Sequence, residues 1–268
     1  MASKGNDVDS QMNSSLDRAL TLLEFISSKR GGTPLAEIVK GVDIPKSTCH
    51  RLLETLKTRG YIELEPVTDR YKIGLKSLEI GVSGLSNLEI VDVAAHYLYD
   101  ISAFTGETAF LAVYNEGEIV YLYKVEGTGS IRTTAQLGSR RPVHCTGVGK
   151  AILSNFSLEE VDRILQEKGM EKHTENTITD QHLYHQELSS VRVQGWATDN
   201  EEIEVGLTCF AVPIFNYTGR VVAAMSCAGP THRVKKRKEE IITRLKESGE
   251  QISRRLGYVE SMRLNQLF

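Results

Sequence analysis

The chain has 268 residues, of which 40% are hydrophobic and 25% are charged, and its formal net charge at pH 7 is −3. This composition is that of an ordinary globular protein, and the length suits two domains better than one. It excludes a uniformly basic nucleic-acid binder, although a local basic face can still bind DNA. The sequence has no run of about eighteen apolar residues, and its N-terminus has no apolar core, so neither a membrane span nor a secretory signal is predicted.

The four cysteines of the chain are widely scattered. They are Cys49, Cys145, Cys209 and Cys227. None falls in a CxxC pair, so neither a zinc ribbon nor a thioredoxin-like redox pair is predicted. Unpaired thiols are typical of a reducing compartment, and we therefore expect a cytoplasmic protein.

The first part of the chain predicts a winged helix-turn-helix over residues 14–74, preceded by a disordered tail at residues 1–13. Three short helices are predicted to begin at Ser14, Pro34 and Pro45, each at a capping residue or at a proline that suits a first helical turn. Alternating strands at Tyr61–Glu65 and Tyr71–Ile73 flank a polar turn and predict a hairpin. Three helices followed by a hairpin is the winged helix-turn-helix plan.

The rest of the chain predicts a helical linker at residues 75–104, broken near 81–88, and a second domain at residues 105–268. The predicted strands of this domain are Thr108–Tyr114, Ile119–Val125, Ile131–Ala135, Gly195–Ala197, Phe210–Phe215 and Arg220–Ser226. The predicted helices are Gly147–Asn155, Leu158–Lys168, His182–Gln194 and Lys236–Leu256. Strands, then helices, then strands again indicate an α+β domain with a mostly antiparallel sheet.

The third predicted helix begins with short polar and basic side chains. They are Lys46, Ser47, Thr48, His50 and Arg51. A recognition helix enters the major groove with its N-terminal residues, where hydroxyls reach phosphates or base edges and arginine suits guanine. Residues 40–60 carry five basic residues against two acidic ones, and Arg70 of the hairpin is predicted to contact the neighbouring DNA backbone. Two alternatives stay open: these residues form only a helix cap, or the helix-turn-helix binds no DNA.

Several blocks of the sequence, in the right order, resemble one protein family. PLAEIVKGVDIPKSTCHRLLETLKTRGYIE and YKIGLKSLEIG resemble the DNA-binding half of the isocitrate-lyase-regulator (IclR) family of bacterial transcription factors. RRPVHCTGVGKAIL, RVQGWATDNEEIEVGLTCFAVPIF and GRVVAAMSCAGPTHR resemble its effector-binding domain. The resemblance covers about residues 14 to 257. It implies a winged helix-turn-helix joined by a helical linker to a GAF-like effector-binding domain, in homodimers or homotetramers.

The resemblance also implies a set of effector-binding residues. They are Gly147, Val148, Asp199, Leu207, Cys209 and Ser226. The family often has a further serine where this chain has Ala228, and the loss of that hydroxyl leaves a larger polyhydroxylated acid open beside the usual small 2-oxo acid. Arg132 and Arg141 are candidate partners for a ligand carboxylate, or else surface residues.

Other motifs of the second domain do not complete a known type of site. The Gly-Val-Gly-Lys stretch at 147–150 is not a P-loop, because His144 and Ala151 stand where the loop needs glycine and a hydroxyl residue. His144 and Cys145 are chain neighbours that point different ways, so they do not form a nucleophile–base pair. These two residues together with Asp199 and Cys209 have no metal-ligand spacing. We therefore predict no catalytic residue, metal or cofactor.

The sequence thus predicts a repressor that binds double-stranded operator DNA and is controlled by a small carboxylate or a sugar acid. One alternative is an enzyme that acts on a small carboxylate through the C-terminal domain, but the sequence offers no acid–base pair or cofactor loop for it. Another is a DNA-binding structural protein without a ligand. A C-terminal domain whose interior is packed solid would favour that alternative.

Overall fold

A computed structural model gives the fold of the chain. It describes residues 14–29, 31–86, 89–129, 133 and 135–259. The predicted disordered tail, residues 1–13, lies outside these described residues. The chain forms two compact units, Met1–Asn87 and Leu88–Phe268. No helix within the described ranges is both long enough and apolar enough to cross a membrane.

The first unit is a winged helix-turn-helix. Its elements are α1 (Ser14–Ser27), β1 (Thr33–Pro34), α2 (Leu35–Gly41), α3 (Lys46–Thr58), β2 (Ile62–Glu65), β3 (Arg70–Ile73) and α4 (Leu75–Ser86). The antiparallel sheet has the order β1-β3-β2, and the side chains of Leu22, Ile38 and Leu53 are fully buried in the helical core beside it. The predicted three helices and hairpin are confirmed. Pro45 is the residue that precedes α3 and not part of its first turn.

The second unit is built on one six-stranded antiparallel sheet. Its strands are β4 (Thr108–Asn115), β5 (Glu118–Val125), β6 (Arg140–Pro142), β7 (Ala197–Asn200), β8 (Leu207–Phe215) and β9 (Val221–Pro230). Its helices are α5 (Glu89–Thr105), α6 (Gly147–Leu153), α7 (Leu158–Lys168), α8 (Gln181–Gln194), α9 (Thr231–Lys236) and α10 (Lys238–Arg255). The strand order is β6-β5-β4-β9-β8-β7, which confirms the predicted α+β class with an antiparallel sheet.

The sheet separates two hydrophobic cores. One face packs against α6, α7 and α8, and the other face packs against α5 and α10. Because side chains alternate along a strand, β4, β8 and β9 contribute residues to both cores and are buried over most of their length. This explains why their sequences are apolar nearly throughout.

The predicted strand Ile131–Ala135 is wrong where the structure describes it. Residues 131, 132 and 134 lie outside the described residues, and Thr133 and Ala135 have no strand conformation. The backbone of Tyr121 in β5 is already bonded to Gly138 and Ser139, at 2.8 and 3.3 Å. These residues lead directly into β6, which pairs with β5 and so occupies the edge that the predicted strand would need.

The predicted C-terminal helix Lys236–Leu256 corresponds to α10, which spans Lys238–Arg255. Arg237 separates α9 from α10, with a non-helical φ of −114° and ψ of 22°. Its guanidinium Nη1 donates to the carbonyl of Phe104 at 3.0 Å. This contact with the end of α5 holds the residue that separates α10 from the short helix α9, which the sequence did not predict.

The predicted strand Gly195–Ala197, which precedes the acidic residues Asp199, Glu201 and Glu202, also differs from its prediction. Gly195 is the left-handed residue that ends α8, with a φ of +77°, so the strand begins only at Ala197 and not at Gly195. Asp199 therefore lies within β7, directly opposite Cys209 of β8. Asp199, although it is followed by the acidic residues Glu201 and Glu202, is thus a buried residue of the sheet.

Candidate DNA-binding surface and effector cavity

The first turns of α3 present the predicted DNA-binding residues to solvent. Cys49 and Leu53 are four residues apart and fully buried, which fixes the inner face of the helix. Lys46, Ser47, His50 and Arg51 lie on the outer face and are exposed, and Thr48 is half-buried between the two faces. The helix thus offers two cations, an imidazole and a hydroxyl on one accessible surface.

Ion pairing divides the basic residues of this unit into two groups. Lys57 lies 2.6 Å from Glu54, and Lys72 lies 2.8 Å from Glu65. Within the described part of the chain, Lys46 and Arg51 form no ion pair. The charges of Lys57 and Lys72 are therefore partly neutralised, whereas those of Lys46 and Arg51 remain available to a phosphate or a base.

Arg70 of the wing has a structural contact as well as an exposed position. Its Nη1 donates to the carbonyl of Gly32 at 2.9 Å, which joins β3 to the segment before β1. Gly32 has a left-handed φ of +79°, and a Cβ there would lie 2.9 Å from the carbonyl oxygen of Tyr71. The remaining guanidinium N–H groups of Arg70 stay available for a phosphate.

The second unit encloses a cavity of about 300 Å³. All six predicted effector residues line it: Gly147, Val148, Asp199, Leu207, Cys209 and Ser226. Phe110, Tyr121, Arg141, His173, Glu204 and Ala228 are among the other lining residues. The volume is at the lower end of the range for small-molecule pockets. The interior of this domain is therefore not packed solid.

The register of the sheet brings residues distant in sequence to one cavity wall. Asp199 pairs with Cys209, and Cys209 pairs in turn with Ala228. Ser226 lies opposite Phe110 of β4. Since alternate residues of a strand face the same side, Leu207 and Cys209 on β8 point to the cavity together with Ser226 and Ala228 on β9.

The start of α6 forms another part of the cavity wall. The side chain of Thr146 caps the helix by accepting a hydrogen bond from the N–H of Gly149 at 3.2 Å, and it donates to the carbonyl of Pro142 at 2.9 Å. A Cβ on Gly149 would lie only 2.1 Å from the carbonyl oxygen of Val143. The glycine therefore allows the chain to pack closely at the point where Gly147 and Val148 reach the cavity.

Asp199 is the most perturbed acid of the cavity. Its burial raises the pKa from 3.8 to about 7, and the nearby carboxylate of Glu202 adds to this rise. The backbone N–H of Glu202 donates to Asp199 Oδ1 at 2.7 Å and partly offsets it. Around neutral pH this carboxyl group is therefore present in both protonation states, as a donor and as an acceptor.

A buried ion pair lies behind the same wall. Lys150 is fully buried, and its Nζ lies 2.5 Å from Glu202 Oε1 and 3.2 Å from Glu187 Oε1. Burial raises the pKa of Glu202, and its Oε2 has no hydrogen-bond partner among the described residues. The lysine of the Gly-Val-Gly-Lys stretch thus binds carboxylates of its own domain, which explains why it serves no phosphate loop.

Sequence reasoning missed several lining residues. Tyr121, His173 and Glu204 carried no signal, because they lie on β5 and on two irregular segments whose positions depend on the tertiary fold. Arg141, one of two candidate carboxylate partners, does line the cavity. Arg132, the other, lies outside the described residues.

Comparison with known proteins identifies both parts of the chain. Residues 15–66 match the domain family described as "IclR helix-turn-helix domain". Residues 82–254 match the one described as "Bacterial transcriptional regulator IclR C-terminal". The chain belongs to the IclR family. The resemblance expected from the sequence is therefore confirmed.

Individual IclR-family proteins are similar to this chain over most of its length. It is 34% identical over 255 residues to the HTH-type transcriptional regulator KdgR of Escherichia coli, covering 94% of this chain and 97% of KdgR. It is 32% identical over 219 residues to the HTH-type transcriptional repressor AllR of the same species, covering 82% of this chain and 81% of AllR. The crystal structure of the Thermotoga maritima IclR protein superposes with a TM-score of 0.78, at 35% identity, covering 92% of this chain and all of that one.

Membership of the IclR family establishes the general function. The chain is a DNA-binding transcriptional regulator with a helix-turn-helix domain and a regulatory C-terminal domain, and it is not an enzyme. The alternative of an enzyme for small carboxylates is therefore wrong. The roles of the individual DNA-contacting and cavity residues stay predictions.

Proposed function

We propose that this regulator is a repressor whose operator binding is controlled by a small polyhydroxylated carboxylate bound in the cavity. The observation that carries the proposal is the cavity itself, which has cationic, acidic and hydroxyl groups on its wall. A repressor role is supported by the similar protein AllR, which is named a transcriptional repressor. Four free thiols, all in the described part of the chain, support a reducing, cytoplasmic location.

The distribution of polar groups in the cavity supports a ligand with two chemical ends. Arg141 supplies a permanent positive charge, which suits a carboxylate. Asp199, Glu204 and Ser226 supply acceptors and one hydroxyl, which suit the hydroxyl groups of a sugar acid. Phe110 and Leu207 add apolar surface against the carbon chain. A neutral polyol has no carboxylate for Arg141, and a plain fatty acid has no hydroxyl groups for Asp199, Glu204 and Ser226.

A screen with matched ligands tests this proposal. A ligand that binds only the folded protein raises its melting temperature. We expect six-carbon aldonic acids such as gluconate to raise it, whereas glucitol, which lacks the carboxylate, and hexanoate, which lacks the hydroxyls, leave it unchanged. Equal shifts with gluconate and glucitol would contradict a carboxylate ligand, and no shift with any sugar acid would contradict the ligand class.

Variants of the cavity test its link to DNA binding. Ser226→Ala removes a buried hydroxyl that the ligand would use, at a cost of about 1–3 kcal/mol in effector binding. Operator affinity without effector should stay unchanged, because Ser226 belongs to the second compact unit and the helix-turn-helix forms the first. The measurement is operator binding with and without the effector. If Ser226→Ala stays folded and yet loses operator binding altogether, the cavity serves DNA binding or assembly and not sensing.

The operator contacts are proposed to be made by Lys46, Ser47, Thr48, His50 and Arg51 of α3 and by Arg70 of the wing. Two copies of α3 in a dimer would read the two halves of a symmetric operator. Leu75 and Leu78 on α4 support a homodimer or a homotetramer, since their side chains are 62% and 59% exposed within one chain. Sedimentation of Leu75→Glu/Leu78→Glu would reveal smaller assemblies if this face joins two copies.

A further inference from the structure

Three metal-binding side chains meet beside the cavity. One ring nitrogen of His144, one ring nitrogen of His173 and the Sγ of Cys145 all lie within 4.8 Å of one another. His144 and Cys145 are buried at the start of the turn into α6, whereas His173 is exposed and lines the cavity from the segment between α7 and α8. The fold alone makes this cluster, since His173 is distant from the other two in sequence.

We infer that His144, Cys145 and His173 bind a divalent transition-metal ion of the zinc class at the cavity wall. Two imidazoles and one thiolate are donors that Zn²⁺ prefers, and three protein ligands leave the fourth position of a tetrahedral ion open. Because His173 lines the cavity, that position is accessible to water or to an oxygen atom of a cavity ligand. This inference concerns a metal ion and does not depend on the proposed effector class.

The surroundings of His144 select one tautomer of its ring. Its Nε2 lies 3.0 Å from the carbonyl oxygen of Glu171, and a carbonyl only accepts, so Nε2 carries the proton. This leaves the lone pair of Nδ1 for an ion. A carbonyl that fixes the ring of a ligating histidine in this way is a common outer partner of metal sites.

The charges around Cys145 favour a cation at this position. The carboxyl groups of Asp199 and Glu202 are close enough to the Cys145 sulfur to interact with it electrostatically. Lys150, the neighbouring cation, is already paired with Glu202. A divalent ion would stabilise the thiolate and displace its proton to solvent, and it would also interact favourably with the two carboxylates.

Cobalt provides a direct spectroscopic test on the full-length protein. Chelator-treated protein is titrated with Co²⁺ and then with Zn²⁺. We expect one ion per chain, a thiolate-to-cobalt charge-transfer band, and loss of that band as Zn²⁺ displaces Co²⁺. Absence of stoichiometric uptake of either ion by the wild-type protein would overturn the inference.

Matched variants assign the ligands. Cys145→Ser should abolish the charge-transfer band, and His173→Asn should lower zinc affinity by more than about tenfold, the smallest loss expected even for an outer-sphere partner. His173 is exposed, so His173→Asn is expected to fold; circular dichroism checks this. Cys209→Ser is the control, because Cys209 lines the same cavity but lies outside the cluster, and it should keep the band. A band that survives Cys145→Ser, or one that is lost only in Cys209→Ser, would place the metal elsewhere and overturn the assignment.

Discussion

Lys150 and Glu202 form a buried ion pair, with Nζ and Oε1 2.5 Å apart and side-chain exposures of 0% and 5%. The pair joins α6 to the segment after β7, and both of these elements contribute residues to the cavity wall. The relative position of these two elements, and with it the shape of the cavity, therefore depends on the attraction between Lys150 and Glu202. A charge that is buried in this way is stable only while its partner remains.

Removal of one partner of this pair should destabilise the protein strongly. We expect Lys150→Met to cost about 3–5 kcal/mol, because it leaves Glu202 charged and buried without compensation. Lys57→Met is the matched control, since Lys57 and Glu54 are equally close at 2.6 Å but exposed, and it should cost less than about 1 kcal/mol. Urea unfolding of both variants makes the comparison. The double variant Lys150→Met/Glu202→Gln should recover part of the loss, and equal costs for the two single variants would contradict the role of burial.

The stability of the protein should depend on pH through Asp199. The folded state holds this carboxyl proton up to about pH 7, whereas the unfolded state loses it near 3.8. The folded state binds more protons in this window, so the contribution of Asp199 to stability is greatest at low pH and falls as pH rises through about 7. Asp199→Asn keeps the shape and the acceptor oxygen but cannot ionise. The difference in melting temperature between wild type and Asp199→Asn should therefore change between pH 5 and pH 8, values chosen to bracket the shifted pKa to about one unit or more. Parallel curves would show that Asp199 does not titrate there.

Substitutions of Arg51 and of Lys57 should affect DNA binding differently, although both residues lie on α3. Arg51→Ala should weaken binding to an operator, selected from random duplexes, by about 1–3 kcal/mol if the guanidinium contacts a base. Lys57→Ala should leave sequence preference intact and at most reduce the salt dependence, because Lys57 is paired with Glu54. Fluorescence anisotropy at several salt concentrations measures both. Unchanged operator affinity in Arg51→Ala would exclude Arg51 as a base-reading residue.

A single methyl group at Gly149 should disrupt the wall of the cavity. Its Cβ would lie 2.1 Å from the Val143 carbonyl oxygen and 2.7 Å from Thr146 Oγ1, so the backbone before α6 would have to move. We expect Gly149→Ala to cost about 1–3 kcal/mol, as overpacking of a core does. At Gly147 the nearest atom is the Cys209 Sγ at 3.2 Å, so Gly147→Ala should be milder and should mainly reduce the cavity. Thermal unfolding distinguishes the two, and similar melting temperatures for Gly149→Ala and wild type would show that the segment adapts.

Sequence patterns predicted the helices and strands of this protein better than the tertiary contacts between them. The helix at Lys46–Thr58 follows from its apolar spacing, and β4 and β5 follow from alternation and the turn between them. The edge strand was misplaced because pairing with β5 depends on backbone bonds at Gly138 and Ser139, which side-chain patterns do not encode.

The residues of the candidate site likewise divide into those that the sequence predicted and those that only the tertiary fold brings together. Residues next to recognisable motifs, such as Gly147, Cys209 and Ser226, were predicted through the family resemblance, and they do line the cavity. His173 was not predicted, because only the tertiary fold brings its segment beside Cys145. The burial of Lys150 was not predicted either, since the residue that neutralises it, Glu202, belongs to a run of charges that would ordinarily be solvated.

Strand β9 contributes residues to both hydrophobic cores of the second domain. Ser226 faces the cavity, while its neighbours Met225 and Cys227 belong to the core shared with α5 and α10. Along a strand the two faces are joined by one stiff backbone, so a ligand that shifts the main chain at Ser226 strains the packing on both sides of the sheet. Helix α5 is the first element of this unit along the chain after the helix-turn-helix unit. A displacement of β9 on its cavity face would therefore also change the packing of α5 on the opposite face of the sheet.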